Sequence, residues 1–310
     1  MARVLVTGAR GFVGRHAAHE LVARGFEVHA VSAHPVAPAA GEVRWHQTDL
    51  TDAGAARGLL RRVRPTHLLH LAWYVEHGAF WTSPENDRWL AASRALFDAF
   101  EGERVVAAGS CAEYDWANPA PTLDERSSPL GPATPYGRAK DALRRTAAER
   151  LPARGVSFAW GRLFFLHGPD EHPDRLVPSV ARALLAGEPA RCTDGRQIRD
   201  FLHASDAGAG FAALLASGAV DGPVNIASGE AVSVATLVGW IGEALGRSEL
   251  IELGALPSRP AEPARLVANV TRLEAEVGFR PALDPRAAVE RSVEWWAARA
   301  AARSFSPDDR

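Results

Sequence analysis

The chain contains little lysine, cysteine or tyrosine, and neither sign of charge is in excess. Only one of its 35 lysine and arginine residues is a lysine, Lys140, and the formal net charge is −2. A near-neutral charge argues against a nucleic-acid-binding surface. The two cysteines, Cys111 and Cys192, cannot build a disulfide framework and lack the spacing of metal ligands. No metal site is therefore predicted.

Long hydrophobic runs are also missing. No apolar stretch approaches the roughly 18 residues that a membrane span needs. A strand-like run begins at Arg3, where a signal peptide would otherwise stand. These absences predict a soluble, cytoplasmic protein without a membrane partner. The hydrophobic fraction of 47% can form a sizeable core, and 310 residues exceed one typical domain, so one large or two interlocked domains are expected.

A glycine-rich loop follows the first predicted strand, at residues 3–6. Residues 7–14 read TGARGFVG, and a helix pattern runs from residue 15 to about residue 24. In this context the three glycines allow a tight turn, a close approach of backbone to a pyrophosphate and close packing of the helix on the sheet. A plain glycine turn is the alternative. The predicted cofactor-binding residues of the loop are Gly8, Arg10, Gly11, Phe12, Val13 and Gly14.

The end of the second predicted strand bears on the choice of cofactor. Residues 27–31 lead into Ser32, without the carboxylate that usually holds the ribose 2′-hydroxyl of NAD. The guanidinium of Arg10 could pair with a 2′-phosphate. Both features favour NADP(H), with Ser32 among its contacts, and leave NAD(H) open. Alternatively, Arg10 is solvated and Ser32 merely ends the strand.

Strand and helix patterns continue to alternate along the chain, which predicts an α/β fold with a doubly wound parallel sheet. The predicted strands are residues 43–47, 67–72, 104–108 and 156–163, and the predicted helices include 85–101 and 136 to about 149. His70 lies within an apolar strand and is expected in the core. Further candidate cofactor contacts near strand ends are Asp49, Leu50, Leu71 and Ala72.

The only lysine follows a tyrosine by four residues on one predicted helix. Residues four apart share a helical face, so Tyr136 and Lys140 are expected to be neighbours. An adjacent ammonium lowers the pKa of a phenol, which is normally near 10, and arginine cannot replace a lysine in a tight pocket. The pattern predicts a tyrosine proton donor assisted by lysine. A surface pair is the alternative.

With these motifs placed, the chain resembles the extended short-chain dehydrogenase/reductases, in the branch often called NAD-dependent epimerase/dehydratases. The segments that carry the resemblance fall in family order along nearly the whole chain. They are TGARGFVG at 7–14, HLA at 70–72, GSCAEY at 109–114, YGRAK at 136–140, RDFLH at 199–203, RPAE at 259–262 and VGFRP at 277–281.

The resemblance implies a Rossmann domain and a smaller C-terminal α/β domain, with a nucleotide sugar bound between them. The NADP-binding domain would comprise residues 1–165 and about 200–229, and the substrate domain about 166–199 and 230–310. A homodimer formed through a helix bundle that includes the YGRAK helix is also implied.

By the same resemblance Ser110, Tyr136 and Lys140 form the catalytic set. Ser110 would orient the substrate oxygen, Tyr136 would transfer its proton, and Lys140 would hold the nicotinamide ribose; Ser110 as a mere strand-end residue is the alternative. The candidate substrate contacts are Ser110, Cys111, Trp73, Arg175, Arg199 and Arg259. Among these, Cys111 is read preferentially as a packing residue, and Trp73 as part of a pocket wall.

Departures from the family patterns narrow the reaction. The dehydratases place an Asp-Glu pair directly after the catalytic Ser or Thr, where this chain has Cys111 and Ala112, and Glu113 comes one residue late. Arg175 stands where the 3,5-epimerase/reductases have a proton-transferring His or Lys, a role arginine cannot take. The hypothesis is NADPH-dependent reduction of a nucleotide-linked 4-keto-6-deoxysugar. A 4-epimerase with bound NAD, a non-catalytic NADP sensor and a reductase of a non-sugar carbonyl are the alternatives.

Overall fold

The computed structural model describes residues 2–36, 42–258 and 262–304. The strands are β1 Arg3–Thr7, β2 Glu27–Ser32, β3 Val43–Gln47, β4 His67–His70, β5 Arg104–Ser110, β6 Ser157–Leu163, β7 Phe165–His167, β8 Ala190–Arg191, β9 Ile198–Arg199, β10 Phe201–His203, β11 Gly222–Ile226, β12 Val232–Ser233, β13 Ile251–Glu252 and β14 Arg265–Leu266. The helices are α1 Gly14–Ala23, α2 Ala53–Val63, α3 Glu85–Ala99, α4 Pro135–Arg150, α5 Leu176–Leu185, α6 Ala204–Ala216, α7 Val234–Leu245 and α8 Pro285–Ser304.

Seven parallel strands form the central sheet, in the order β11-β6-β5-β4-β1-β2-β3. The strand order reverses between β1 and β4, and in open α/β sheets a ligand binds in the crevice at the carboxyl ends of such strands. The predicted Rossmann-type doubly wound sheet is therefore confirmed. The glycine loop leaves β1 and the HLA segment leaves β4, so both motifs lie at this crevice.

Helices cover both faces of the sheet. One apolar layer contains Leu59 of α2, Leu96 of α3 and Leu143 of α4. The opposite layer contains Leu21 of α1 and Phe211 of α6. Helix α2 buries one apolar stripe, Ala56, Leu59, Leu60 and Val63, as a surface helix of a globular protein does. Helix α6 is buried over most of its surface. The apolar runs in β1 and β5 follow from burial of these strands on both faces.

A third core lies among α5, α7 and α8, with Val180, Leu237 and Val293 at its centre. This grouping fits the predicted substrate domain, whose boundaries stay a prediction. One stretch departs from them: Leu273, Val277 and Phe279 pack into the apolar layer around α1 and α6. That part of the C-terminal segment therefore adds to the core of the Rossmann sheet.

Neither a candidate membrane span nor a candidate metal site is found among residues 2–36, 42–258 and 262–304. None of the helices found there combines the length and the apolar character that crossing a bilayer demands. No group of three or more His, Cys, Asp or Glu side chains in those ranges is arranged to hold a metal ion. Cys111 and Cys192 are both buried free thiols.

The backbone of Gly14 packs directly against the backbone of Gly8 in the glycine loop. A Cβ added there would lie 2.1 Å from the Gly8 carbonyl oxygen, whereas real Cβ atoms do not approach within 3.0 Å. Gly8 has a φ of +67°, and its own Cβ would meet the Ala72 backbone nitrogen at 2.8 Å. The first turn of α1 can therefore pack against the end of β1 only where both residues lack a side chain.

We expect Gly14→Ala to lower the stability of the protein by about 1–3 kcal/mol, the usual range for overpacking. Gly239→Ala is the matched control, because Gly239 lies within α7 and an added Cβ there would meet nothing within 4 Å. The control should be neutral or slightly stabilising, since alanine favours the helix. Thermal denaturation of both variants tests this. Equal melting temperatures for the two would contradict it.

Candidate active site

Ser110 and Tyr136 meet at the carboxyl edge of the sheet. Ser110 ends β5 and Tyr136 lies in the first turn of α4, close enough for the Ser110 side chain to affect the pKa of the Tyr136 phenol. Thr134 caps α4 by accepting a hydrogen bond from the Gly137 N–H at 3.1 Å. A Cβ on Gly137 would lie 2.4 Å from the Ala112 carbonyl oxygen. The glycine after the tyrosine therefore lets the helix start directly against the turn that follows Ser110.

The phenol of Tyr136 is buried, and burial raises its pKa above the usual value. Polar interaction with the nearby Ser110 side chain lowers this pKa, but by less than burial raises it. The predicted lowering of the phenol pKa is thus wrong for this arrangement of side chains, because removal from water disfavours the phenolate more than nearby groups favour it. Tyr136 is protonated at neutral pH and can serve as a hydrogen-bond and proton donor.

The Lys140 ammonium lies deeper than the phenol. The residue is only 3% exposed, its Nζ donates to the Ala108 carbonyl oxygen at 2.9 Å, and the Tyr136 ring centroid is 5.9 Å away. Burial lowers the pKa of Lys140 to about 7, while the negative charge of Glu113 opposes that shift. The predicted pairing of tyrosine and lysine on one helical face is present, with both side chains turned inward.

An aromatic segment, residues 73–81, covers the Tyr136 ring. Phe80 and Trp81 contact that ring edge-on, with centroid distances of 5.0 and 5.7 Å. The Trp81 carbonyl oxygen accepts a hydrogen bond from the Tyr136 N–H at 3.2 Å. Trp73, expected in a pocket wall, instead lies with its ring face 3.9 Å from Lys140 Nζ.

The buried carboxylate of Glu113 supports the serine from behind. Its Oε1 accepts hydrogen bonds from the Ser110 N–H at 2.8 Å and the Trp160 indole N–H at 2.9 Å. Its Oε2 accepts from Arg162 Nε, also at 2.9 Å. Sequence reasoning placed Glu113 one residue too late for the acid pair of a dehydratase and did not identify its ion pair with Arg162. Ser110-x-x-Glu113 is a capping-box spacing, and it was the available signal.

The glycine loop has the features of a pyrophosphate site. Gly11 and Arg10 are exposed, and Phe12 and Val13 are half-buried. Val13, at the start of α1, makes no side-chain cap, and the first turn of α1 contains no acidic residue. The N–H groups and positive end of the helix dipole are therefore available to an anion. These residues fit a bound dinucleotide.

The other predicted cofactor contacts differ in what their side chains do. The Ser32 hydroxyl donates to the His34 carbonyl oxygen at 2.8 Å, and the Asp49 carboxylate accepts from the Thr51 N–H at 2.8 Å. Leu50 is buried in the core beside α2. The backbones of Leu71 and Ala72 lie against Gly8, which places this pair at the crevice between β4 and β1.

Two predicted substrate contacts are buried. Cys111 packs among apolar side chains, and burial raises the pKa of its thiol to about 12. Arg199 Nη2 forms an ion pair of 2.7 Å with Glu262. The burial of Cys111 agrees with its preferred interpretation as a packing residue, whereas the guanidinium of Arg199, expected to bind substrate, is buried and paired with a carboxylate. Arg259 lies outside the described residues.

Arg175, the remaining predicted contact, is partly exposed before α5. Its charge lowers the pKa of Tyr136, and its Nε donates to Glu171 Oε1 at 2.8 Å. Glu171 is buried, and its Oε2 has no hydrogen-bond partner in the described ranges. Burial raises the pKa of Glu171 to about 7, against the opposing charge of Arg175. Sequence reasoning did not single out this carboxyl group.

Comparison with known proteins places this geometry in a family. The sequence profile described as the NAD dependent epimerase/dehydratase family matches residues 4–227. The chain belongs to this family. It is also 30% identical to a dTDP-4-dehydro-6-deoxy-D-allose reductase of a Streptomyces species, over 94% of this chain and 95% of the relative. A UDP-glucose 4-epimerase of Streptomyces lividans is 27% identical over 94% and 95%.

A solved structure shows the same fold. MoeE5 in complex with UDP-glucose and NAD is similar, with a TM-score of 0.81 and 29% identity over 98% of this chain and all of that one. Dehydratases of dTDP-glucose are among the other relatives. The resemblance inferred from the motifs is confirmed, and a nicotinamide-dinucleotide-dependent enzyme that modifies nucleotide sugars is supported.

We expect Glu113→Gln to destabilise the protein by about 3–5 kcal/mol, because the charge of Arg162 would stay buried without the Glu113 carboxylate as its partner. Urea denaturation would measure the loss. The double variant Glu113→Gln with Arg162→Met is the control. It should recover most of the stability, since it also removes the buried charge. A loss below about 1 kcal/mol in the single variant would contradict the assigned role.

Glu171 should make stability depend on pH. Its pKa is raised from 4.5 to about 7 in the folded chain. The contribution of Glu171 to the free energy of unfolding is therefore fully present below about pH 4.5 and is lost as pH rises through 7. Glu171→Gln cannot ionise. Relative to the wild type it should gain up to about 3 kcal/mol between those limits. Denaturation of both proteins across this pH range measures the difference, and parallel curves would refute it.

Proposed function

We propose that the protein reduces a keto group on a nucleotide-linked sugar, with NADPH as cofactor and a 4-keto-6-deoxysugar as substrate. One observation carries the proposal: the Ser110–Tyr136 pair has the buried Lys140 beside it and no second proton-transfer group directly after the serine. Cys111 is held as a neutral thiol, and Glu113 is turned into its ion pair with Arg162. Neither can protonate a leaving hydroxyl, as dehydration would require.

The chemistry of reduction suits these side chains. A bound nicotinamide dinucleotide would supply the hydride. The Ser110 hydroxyl would orient the carbonyl oxygen and the Tyr136 phenol would donate a proton to it. Burial keeps Tyr136 protonated, which is the form that a donor needs. The charge of Lys140, 5.9 Å from the Tyr136 ring centroid, would stabilise the phenolate left behind.

The choice of NADPH rests on the glycine loop and the end of β2. Ser32 stands where an NAD-binding carboxylate would, and its hydroxyl hydrogen-bonds to His34. Arg10 is exposed in the loop, and none of the ion pairs among the described residues involves it. Its guanidinium can therefore meet a 2′-phosphate. NAD stays possible, as in the MoeE5 complex.

The substrate class is inferred from the relatives and from Arg175. The reductase relative acts, by its name, on a dTDP-linked 4-dehydro-6-deoxysugar. Arg175 is partly exposed and electrostatically coupled to Tyr136, so it is the described arginine best placed to meet a substrate phosphate or hydroxyl. The residue division into domains, the homodimer and the cytoplasmic location stay predictions.

A 4-epimerase is the second candidate, favoured by the relative from Streptomyces lividans. Ser110, Tyr136 and Lys140 would suffice for it as well, because epimerisation proceeds through a transient ketone. The two activities differ in how the cofactor is used. An epimerase retains NAD through purification and consumes no reductant, whereas a reductase exchanges its cofactor in each turnover.

We expect purified protein to oxidise NADPH in the presence of a nucleotide-linked 4-keto-6-deoxysugar. Tyr136→Phe should slow this by about 10²- to 10⁴-fold, since it removes the proton donor. Loss of NADPH absorbance measures the rate. The wild type should be slower with NADH, and Arg10→Ala should raise KM for NADPH more than for NADH.

Tyr114→Phe is the matched control for this experiment. The Tyr114 hydroxyl donates to Asn225 at 2.8 Å, within a buried network, so its loss should lower stability and leave turnover within a few-fold of the wild type. Conversion of a nucleotide sugar to its 4-epimer without NADPH consumption would establish the second candidate instead. A Tyr136→Phe variant that binds NADPH but behaves in all respects like the wild type would indicate a non-catalytic sensor.

A further inference from the structure

Trp73 holds an unusual position relative to the only lysine of the chain. Its ring centroid lies 3.9 Å from Lys140 Nζ, well inside the roughly 6 Å at which a cation and an aromatic face attract one another. Among the cation–aromatic contacts of the described residues, this is the shortest. Tryptophan has the most favourable face for such a contact.

The indole is fixed in this orientation by a second buried side chain. Trp73 Nε1 donates to the Asn86 side-chain oxygen at 2.9 Å. Asn86 in turn donates to the carbonyl oxygens of Phe80 at 2.7 Å and Ser83 at 2.9 Å. The hydrogen bonds orient the ring edge toward Asn86. The ring face stays presented to the ammonium, so the contact is built into the fold of the aromatic segment.

The ammonium needs such support because little else offsets its burial. Its hydrogen bond goes to a neutral acceptor, the Ala108 carbonyl oxygen. The titratable groups that face it are His70 of β4, Glu113 after β5 and Tyr136 of α4. Burial keeps His70 neutral, with a pKa of about 3, and the Glu113 carboxylate is already ion-paired with Arg162. Burial lowers the pKa of Lys140 to about 7 even against the opposing charge of Glu113, so a large share of the side chains would be uncharged at physiological pH.

We propose that Trp73 is a positioning residue that keeps the Lys140 ammonium charged and in place through the face of its indole ring. The substrate-wall role expected for Trp73 is thereby replaced by a role in the charge state of the lysine. For its effect on turnover this inference rests on the proposed reduction, in which a charged Lys140 stabilises the phenolate of Tyr136. Its effect on Lys140 itself is independent of any activity.

The single lysine makes a direct test possible. Protein labelled with ¹³C at the lysine Cε gives one side-chain signal, because the chain has one lysine, and its chemical shift against pH reports the pKa of Lys140. Fluorinated tryptophans keep the ring shape but weaken its negative face. Growth on tryptophans of increasing fluorination should lower that pKa stepwise, by about one pH unit in all, the size expected for a desolvated cation–aromatic contact.

Two variants separate Trp73 from the eight other tryptophans of the chain. Trp73→Phe carries a ring that fluorotryptophan does not replace, so the pKa should no longer depend on fluorination. Trp296→Phe is the matched control: Trp73 and Trp296 are both 8% exposed, and Trp296 belongs to the separate core of α5, α7 and α8. This control should keep the full dependence. A pKa indifferent to fluorination, or equally sensitive in Trp73→Phe, overturns the proposal.

Kinetics then connect the residue to turnover. In the fluorinated wild type the alkaline limb of kcat/KM for NADPH oxidation should move to lower pH by the same amount as the Lys140 titration, and in Trp73→Phe it should not move. A signal that titrates as expected in a protein without reductase activity would reject the proposed function and leave the role of Trp73 intact. An active reductase in which the pKa of Lys140 does not depend on fluorination would support the proposed function and reject the role of Trp73.

Discussion

The buried ion pair of Glu113 and Arg162 is the constraint around which the site is arranged. Removing two charges from water costs several kcal/mol each, so such a pair persists only where further hydrogen bonds complete it. Here the carboxylate also accepts from the Ser110 N–H and the Trp160 indole. The three donors come from the end of β5 and from β6. The pair thus fixes the direction in which the chain leaves β5, and with it the Ser110 hydroxyl.

The helix that carries Tyr136 and Lys140 is set against this fixed turn. Gly137 allows the helix backbone to touch the Ala112 carbonyl, and the Thr134 cap defines the first turn. Once the first turn is placed, Lys140 must follow one turn later on the same face. The aromatic segment joins the assembly through the backbone hydrogen bond between Tyr136 and Trp81. The positions of Ser110, Tyr136 and Lys140 therefore depend on backbone contacts as much as on side chains.

Sequence could predict the parts of the molecule that local patterns determine. The alternation of strands and helices, the glycine loop and the order of Ser110, Tyr136 and Lys140 depend on periodicity and spacing within short segments. Partners that are distant in sequence were not predictable: Glu113 with Arg162, Arg199 with Glu262, and Lys140 with Trp73. Each of these depends on which side chains the folded sheet brings together. The pKa of Tyr136 was misjudged for the same reason, because burial is a property of the whole fold.

Burial acts on the phenol and the ammonium in opposite ways. Burial disfavours the charged form of each group. It raises the pKa of Tyr136 and so keeps the phenol protonated, as a proton donor must be, but it lowers the pKa of Lys140 and so favours the uncharged amine. If the only task of the lysine were to lower the pKa of the tyrosine, placing the ammonium near the phenol would be enough. A site that buries both must stabilise the cation separately, and the Ala108 carbonyl and the Trp73 face are the groups that touch it. Keeping the lysine charged is therefore a stricter requirement on this site than making the tyrosine acidic.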